Sequence, residues 1–140
     1  MSTGYSGTPL GKKLGLKERY NILLHNAPEH YFDLFSDLPP NLNILNIDQS
    51  EEKEIDFIHL FFTSLHDLQI HVGKFIRTLK KDGLLWISWP KGQSKIQTDL
   101  KRDLIRAHIL DLGLVDIKVA AIDEDWSGLK FVYRTKDRRI

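Results

Sequence analysis

The sequence has no cysteine, only one methionine, and no apolar run that approaches the length of a membrane-spanning helix. Without cysteine there are no disulfides, no thiolate metal ligands and no cysteine nucleophile. The first residues are small and polar, so they lack the apolar stretch of a secretory signal. These absences argue against a disulfide-rich secreted protein and a membrane protein, and we expect a cytoplasmic protein.

An excess of charge of one sign is also lacking, because 20 Lys and Arg residues balance 19 Asp and Glu residues to give a net charge of +1. Such a balance gives no reason to expect a nucleic-acid-binding or membrane-binding surface. The 140 residues, 41% of them hydrophobic, are enough for one core. We expect a single domain over residues 1–140, with residues 1–7 as a flexible N-terminus.

Short apolar runs alternate with stretches of helical periodicity along the chain. The runs that predict strands are 22–24, 42–47, 56–62, 84–89, 115–122 and 129–134. The stretches that predict helices are 8–16, 28–38, 65–82 and 98–112, the third with Ser64 as its N-cap and Gly83 as its C-cap. This alternation indicates a mostly parallel α/β sheet covered on both faces, closed by an antiparallel hairpin.

The link between the second and third predicted strands has only a handful of residues, whereas parallel crossovers usually need a dozen or more. Two explanations are open. Either the link crosses the sheet as an extended loop, or the second strand is a short piece at the sheet edge.

The second half of the chain resembles class I methyltransferases, with a helix ending in LKKDG (79–83), a strand, a helix and a closing hairpin. The resemblance implies a three-layer Rossmann-like fold whose six-stranded sheet has the order 2-1-3-4-6-5, with only the last strand antiparallel. It also implies S-adenosylmethionine as a cofactor, with Asp48 at the acidic position that holds the ribose hydroxyls. The glycine-rich turn of that family is replaced here by LHNAP (24–28), which has no glycine.

Whole phrases of the sequence resemble a bacterial family known only as a domain of unknown function. These phrases are GYSGTPLGKKLGL (4–16), NAPEHY (26–31), SWPK (88–91), TDL (98–100), GLVDIKV (113–119) and DEDWSGLKFV (123–132). This resemblance spans nearly the full chain and implies a Rossmann-like fold without an established activity.

The breaks that follow the predicted strands should meet at one edge of a parallel sheet, where open α/β sheets bind ligands. The candidate ligand-binding residues there are Asn26, Pro28, Ser64, Trp89, Lys91, Trp126 and Ser127. The alternative is that these breaks contain Pro, Gly, Ser and Asn only because tight turns require them.

Two of these residues, Trp89 and Trp126, allow either of two roles. With Lys91 they could stack a planar ligand while the ammonium group binds an anion. Alternatively, Trp126 plugs the end of the sheet and Trp89 caps the core. The helix start at Ser64 offers free N–H groups as a generic anion site, whereas Asp99 supplies a negative charge to the start of its own helix.

No catalytic constellation is evident, and the six histidines do not repeat a metal-ligand spacing. His59 lies in a predicted strand and is expected to be a hydrogen-bonded core residue. We therefore predict no catalytic residue, no metal and no cofactor. The expected function is that of a non-catalytic module that binds a small anionic or planar ligand or a protein partner at the strand edge. The alternative is a reduced S-adenosylmethionine-dependent methyltransferase that uses Asp48.

Overall fold

The computed structural model describes residues 7–138, so most of the expected flexible N-terminus lies outside the described residues. The strands are β1 (Asn21–His25), β2 (Asn43–Leu45), β3 (Ile55–Phe61), β4 (Leu79–Pro90), β5 (Leu114–Ala121) and β6 (Trp126–Tyr133). The helices are α1 (Leu10–Leu14), α2 (Leu65–Thr78), α3 (Arg102–Asp111) and α4 (Thr135–Arg138). Two 3₁₀ turns, Tyr31–Leu34 and Ile47–Gln49, follow β1 and β2.

The six strands form one sheet in the order β2-β1-β3-β4-β6-β5. Neighbouring strands from β2 to β4 are parallel, and β6 is antiparallel to both β4 and β5. The predicted Rossmann-like fold, its strand order and its antiparallel last strand are thus confirmed. The chain places β6 between β4 and β5 because the hairpin folds back onto the open edge of β4.

Two explanations were open for the short link between β2 and β3, a crossing loop and a short edge strand, and the structure has both. β2 is a three-residue strand at the sheet edge. Residues 46–54 then pass β1 without an α-helix, containing only the 3₁₀ turn Ile47–Gln49. At the opposite edge, β5 pairs with β6 through an irregular register between Asp116 and Lys118.

The best-formed helix is α2, whose apolar side is buried and whose Ser64 N-cap accepts a hydrogen bond from the Asp67 N–H at 3.2 Å. It has fourteen residues, and no helix between residues 7 and 138 combines the length and apolar character that a membrane crossing requires. The predicted C-cap at Gly83 is wrong, because the chain becomes extended at Leu79 and Gly83 lies within β4. A Cβ atom at Gly83 would lie 2.7 Å from Leu79 Cδ1, so close packing explains this glycine.

Two other predicted helices are shorter in the structure. The helix predicted at 28–38 is wrong, since only the 3₁₀ turn Tyr31–Leu34 forms and Phe35 is extended. The side chain of Asp37 instead accepts hydrogen bonds from the Gly11 and Lys12 N–H groups at the start of α1, at 2.8 and 2.9 Å. The helix predicted from Thr98 begins only at Arg102, because residues 98 and 99 contact other segments.

Each face of the sheet has its own apolar core. One cluster joins the strands to α2 and α3 through residues such as Leu68, Phe75 and Ile105. The other joins them to α1 and the first 3₁₀ turn, with Trp86 fully buried at its centre. The Trp86 indole N–H donates to the Leu14 carbonyl at 2.8 Å, which fixes the short helix α1 on the sheet.

Candidate functional site

The predicted site residues lie at the edge formed by the carboxyl ends of the parallel strands. Strands β1 to β4 end there, and β6, which runs the other way, begins there. The predicted residues at or just beyond this edge are Asn26, Pro28, Asp48, Ser64, Trp89, Lys91, Trp126 and Ser127. Their common location is the one where open α/β sheets bind ligands, whereas their roles stay predictions.

The two tryptophans at the end of β4 and the start of β6 lie on opposite faces of the sheet. Trp89 is paired with Ser127 and Pro90 with Trp126. Side chains alternate along a strand, so Trp89 and Trp126 point to different faces. Trp89, 9% exposed, belongs to the core with α2 and α3, and Trp126 packs against the other core. The two rings therefore do not form one stacking platform.

Trp126 is half-buried against the core that contains α1. Its ring centre lies 5.0 Å from that of Phe61, with the rings nearly perpendicular. Its backbone N–H donates to Asp123 Oδ1 at 2.9 Å, which also accepts from the Asp125 N–H at 2.8 Å. This arrangement fits the plugging role that the sequence allowed for Trp126.

Asp48 lies apart from the residues of the β4–β6 end. It belongs to the exposed 3₁₀ turn that follows β2, the edge strand. Three strand spacings separate β2 from β4, which places Asp48 roughly 14 Å or more from Lys91. A ligand contacting both residues would have to extend across the ends of β1 and β3.

The turn after β1 has an unusual backbone but no glycine. Asn26 adopts the left-handed conformation with φ of 55°, a region that asparagine tolerates better than most residues. Further along this segment, His30 Nε2 lies 3.0 Å from Asp123 Oδ2. Since Asp123 lies in the turn between β5 and β6, this hydrogen bond connects the segment after β1 with the far side of the sheet.

Beneath this segment, three buried polar side chains form a hydrogen-bonded chain. The Tyr31 hydroxyl lies 2.8 Å from His59 Nδ1, and His59 Nε2 lies 2.7 Å from Ser88 Oγ. Burial lowers the pKa of His59 to about 3 and raises the pKa of Tyr31. His59 is thus a neutral, hydrogen-bonded core residue, as predicted. Within residues 7–138, no group of three or more His, Asp or Glu side chains is placed to hold a metal ion.

The start of α2 is not the free anion site that the sequence predicted. The Leu65 N–H donates to Asp99 Oδ1 at 2.9 Å, and the Asp67 N–H donates to Ser64 Oγ. Thr98 makes a second contact between the two segments, because its Oγ1 donates to the Thr63 carbonyl at 2.6 Å. The chain therefore supplies its own carboxylate to this helix start, and Asp99 caps α2 rather than its own helix.

A cavity of about 590 Å³ lies between the end of β4 and the start of α3. The segment that connects these elements, residues 91–101, forms most of its wall. Its apolar lining comes from Trp89, Ile96 and Leu100, of which Leu100 is buried at 4% exposure. This volume is within the range of small-molecule sites, which are about 300–1,000 Å³.

The charged side chains that line the cavity are all basic. They are Lys91, Lys95, Lys101 and Arg102. Within residues 7–138 the ion pairs of the structure involve other residues, so these four cations have no carboxylate partner there. Two carboxylates border the cavity without lining it: Asp99 accepts from the Leu65 N–H, and Asp125 accepts from the Ser94 hydroxyl at 2.8 Å. The side chains that line the cavity therefore carry a local excess of basic groups, although the charge of the whole chain is balanced.

Sequence reasoning found Trp89 and Lys91 but missed the other cations of the cavity. The signal was present, because residues 91–102 contain four basic residues and one carboxylate. The helix predicted from Thr98 did not bring the last two cations to this cavity. The helix begins later, at Arg102, and the irregular segment before it brings all four basic residues to one cavity.

No protein-family model matches the sequence, and no curated protein sequence matches it significantly. The resemblance of its phrases to an uncharacterised bacterial family therefore stays a prediction.

Solved structures, in contrast, are similar in fold. An S-adenosylmethionine-dependent methyltransferase from Aquifex aeolicus has a TM-score of 0.58 at 15% identity, covering 87% of this chain and 86% of its own. Fibrillarin from Aeropyrum pernix, with natively bound S-adenosyl-L-methionine, has a TM-score of 0.59 at 15% identity, covering 87% and 72%. The protein PH0226 from Pyrococcus horikoshii has a TM-score of 0.59 at 11% identity, covering 89% and 86%. At these identities the similarity establishes a methyltransferase-like Rossmann fold.

Proposed function

We propose that the protein is a non-catalytic module that binds a small anionic ligand in the cavity beyond β4. The observation that supports this most is the cavity itself, which has four basic side chains, no acidic one, and a volume suited to a small molecule. It opens at the sheet edge where α/β proteins bind ligands.

In this proposal the basic residues of the cavity wall bind the anion, and the apolar residues shape the cavity. The half-buried Lys91 and the exposed Lys101 and Arg102 form charge-assisted hydrogen bonds with the anion, which are stronger than those between neutral groups. Trp89 and Leu100 supply a rigid apolar wall because both are held in the core. The hydrogen bonds of residues 98 and 99 to the start of α2 fix the segment in place.

A second candidate is a reduced S-adenosylmethionine-dependent methyltransferase. The comparisons favour it more directly than they favour a binding module, since the similar structures include named methyltransferases and a fibrillarin that holds the cofactor. Asp48, beyond β2, occupies the place where such a fold has its ribose-binding carboxylate.

The residues after β1, however, do not fit the cofactor in the way this resemblance implies. The approach of the cofactor to the backbone requires glycine, whereas the turn contains Asn26, Ala27 and Pro28. Pro28 also has no N–H to donate. The hydrogen bond between His30 and Asp123 joins the segment after β1 to the turn between β5 and β6. The geometry of the site therefore supports the binding module better.

Calorimetric titration distinguishes the two candidates. We expect no saturable heat with S-adenosylmethionine or S-adenosylhomocysteine. We expect saturable binding, with a change in tryptophan fluorescence, for at least one member of a set of small carboxylates, sulfate and phosphates. Saturable binding of S-adenosylmethionine that is lost in Asp48→Asn but kept in Lys91→Gln would favour the methyltransferase instead.

A further inference from the structure

We infer that the cavity beyond β4 selects a small molecule with two or more neighbouring negative charges, of the phosphate ester or diphosphate class. This inference rests on the proposed function and specifies its ligand.

The first step is the number of unpaired cations. Four basic side chains surround a space of about 590 Å³, and no lining residue is acidic. A monoanion would leave most of this positive charge uncompensated. A ligand with several negative charges can pair with more than one of these cations.

The second step is their arrangement. Lys91 stands at the beginning of the segment, where its backbone N–H is bonded to the Asp125 carbonyl at 2.8 Å. Lys101 and Arg102 stand at its other end, where α3 begins. The first turn of α3 contains Asp103, which favours the positive end of the helix dipole, so the anion is needed for the lysine and arginine side chains rather than for the dipole.

The third step is the chemical type of the anion. The guanidinium of Arg102 offers a planar set of N–H donors that matches two oxygens of one phosphate or carboxylate. Lysine ammonium groups bind phosphate oxygens as compact point charges. A diphosphate presents such oxygens on adjacent centres, within the span of a cavity of this size.

A small ligand is favoured over a nucleic acid by the surroundings of the cavity. The turn beside Lys91 carries the carboxylate run Asp123, Glu124 and Asp125. This run interrupts the basic surface, and a long polyanion would have to pass it. A compact phosphorylated molecule binds among the basic side chains without spanning this run, of which Asp125 borders the cavity through its hydrogen bond with Ser94.

The test uses the full chain with sodium pyrophosphate, inorganic phosphate and acetate as probes, measured by calorimetry at matched ionic strength. We expect pyrophosphate to bind more tightly than phosphate, and phosphate more tightly than acetate. Arg102→Gln should weaken pyrophosphate binding about ten- to a hundredfold, as the loss of a charged hydrogen bond implies. The matched control is Arg77→Gln. Arg77 is also an exposed helical arginine, but it lies in the last turn of α2, near the start of β4 rather than its end.

The outcomes separate the inference from the proposed function. Equal affinity for acetate and pyrophosphate, or equal effects of the two arginine substitutions, would overturn the inference while leaving anion binding intact. A single-stranded oligonucleotide that competes with pyrophosphate and binds more tightly would assign the surface to nucleic acid and overturn it as well. No binding by any anion, with unchanged thermal unfolding of the variants, would reject the proposed function along with it.

Discussion

The buried histidine in β3 should make the protein sensitive to mild acid. His59 is fully buried, and its ring nitrogens are bonded to Tyr31 and Ser88, with no carboxylate in the network. Burial lowers its pKa from the ordinary 6.5 to about 3. The unfolded chain therefore takes up a proton near pH 6.5 while the folded chain does not, so His59 stabilises the fold above that pH. This stabilisation is lost as the pH falls from 6.5 towards 3.

The magnitude follows from the size of the pKa difference. Each unit corresponds to about 1.4 kcal/mol, so the full shift is worth on the order of 5 kcal/mol once both states are protonated. Between about pH 7.5 and about pH 5, the linkage relation gives a loss of about 2 kcal/mol from this single group. That is a large part of the stability of a domain, which is typically about 5–15 kcal/mol.

Urea unfolding at a series of pH values, with His59→Gln as the comparison, measures this contribution. The variant should be less stable at neutral pH by about 1–3 kcal/mol, because a buried partner loses its hydrogen bond. Its stability should fall less steeply with acid than that of the wild type. The pKa of His25 is also lowered, chiefly by burial, but His25 is present in both proteins and cancels in the difference. Identical pH slopes would show that His59 is not the neutral, buried group described here.

Other substitutions test the contacts at the sheet edge. Trp126→Ala should lower the free energy of unfolding in urea by about 2 kcal/mol, less than the roughly 3–5 kcal/mol of a fully buried aromatic residue. Trp126→Phe should lower it less, because a phenyl ring can keep the contact with Phe61. Asp37→Ala and Asp99→Ala should each cost about 1 kcal/mol by uncapping α1 and α2, and an unchanged midpoint would contradict that role. Lys91→Gln should change stability by less than about 0.5 kcal/mol while weakening anion binding in calorimetry.

The strands were predictable because runs of apolar and β-branched residues are local features of the sequence, and their order followed from the resemblance to class I methyltransferases. Strand Ile55–Phe61 is rich in β-branched and aromatic residues, and the final hairpin has a polar turn between two strands in which apolar and polar residues are mixed. The helix expected from Pro28 failed because its apolar positions are used by a tighter turn, in which Tyr31 reaches His59. A periodic pattern cannot reveal which partner a side chain will find across the sheet.

The candidate site was predictable in its location but not in its composition. Topology alone brings Trp89 and Lys91 to the carboxyl edge. The role of Asp99 depended on a contact with Leu65, 34 positions away, which no local pattern indicates. Once Asp99 turns towards α2, it leaves the following Lys101 and Arg102 without an acidic neighbour in the cavity wall. The grouping of basic side chains around the cavity is thus a result of tertiary structure.

The two outer strands of the sheet make it a poor template for self-association. β2 offers only three residues for pairing, and the pairing of β5 is irregular between Asp116 and Lys118. β5 also exposes Ile117 and Val119, which on a flat, regular edge would invite a strand from another molecule. The break in register and the charged side chains of Asp116 and Lys118 disfavour pairing of β5 with a strand from another molecule. We therefore expect the folded protein to stay free of amyloid-like, edge-to-edge stacking at concentrations where a regular edge of the same composition would aggregate.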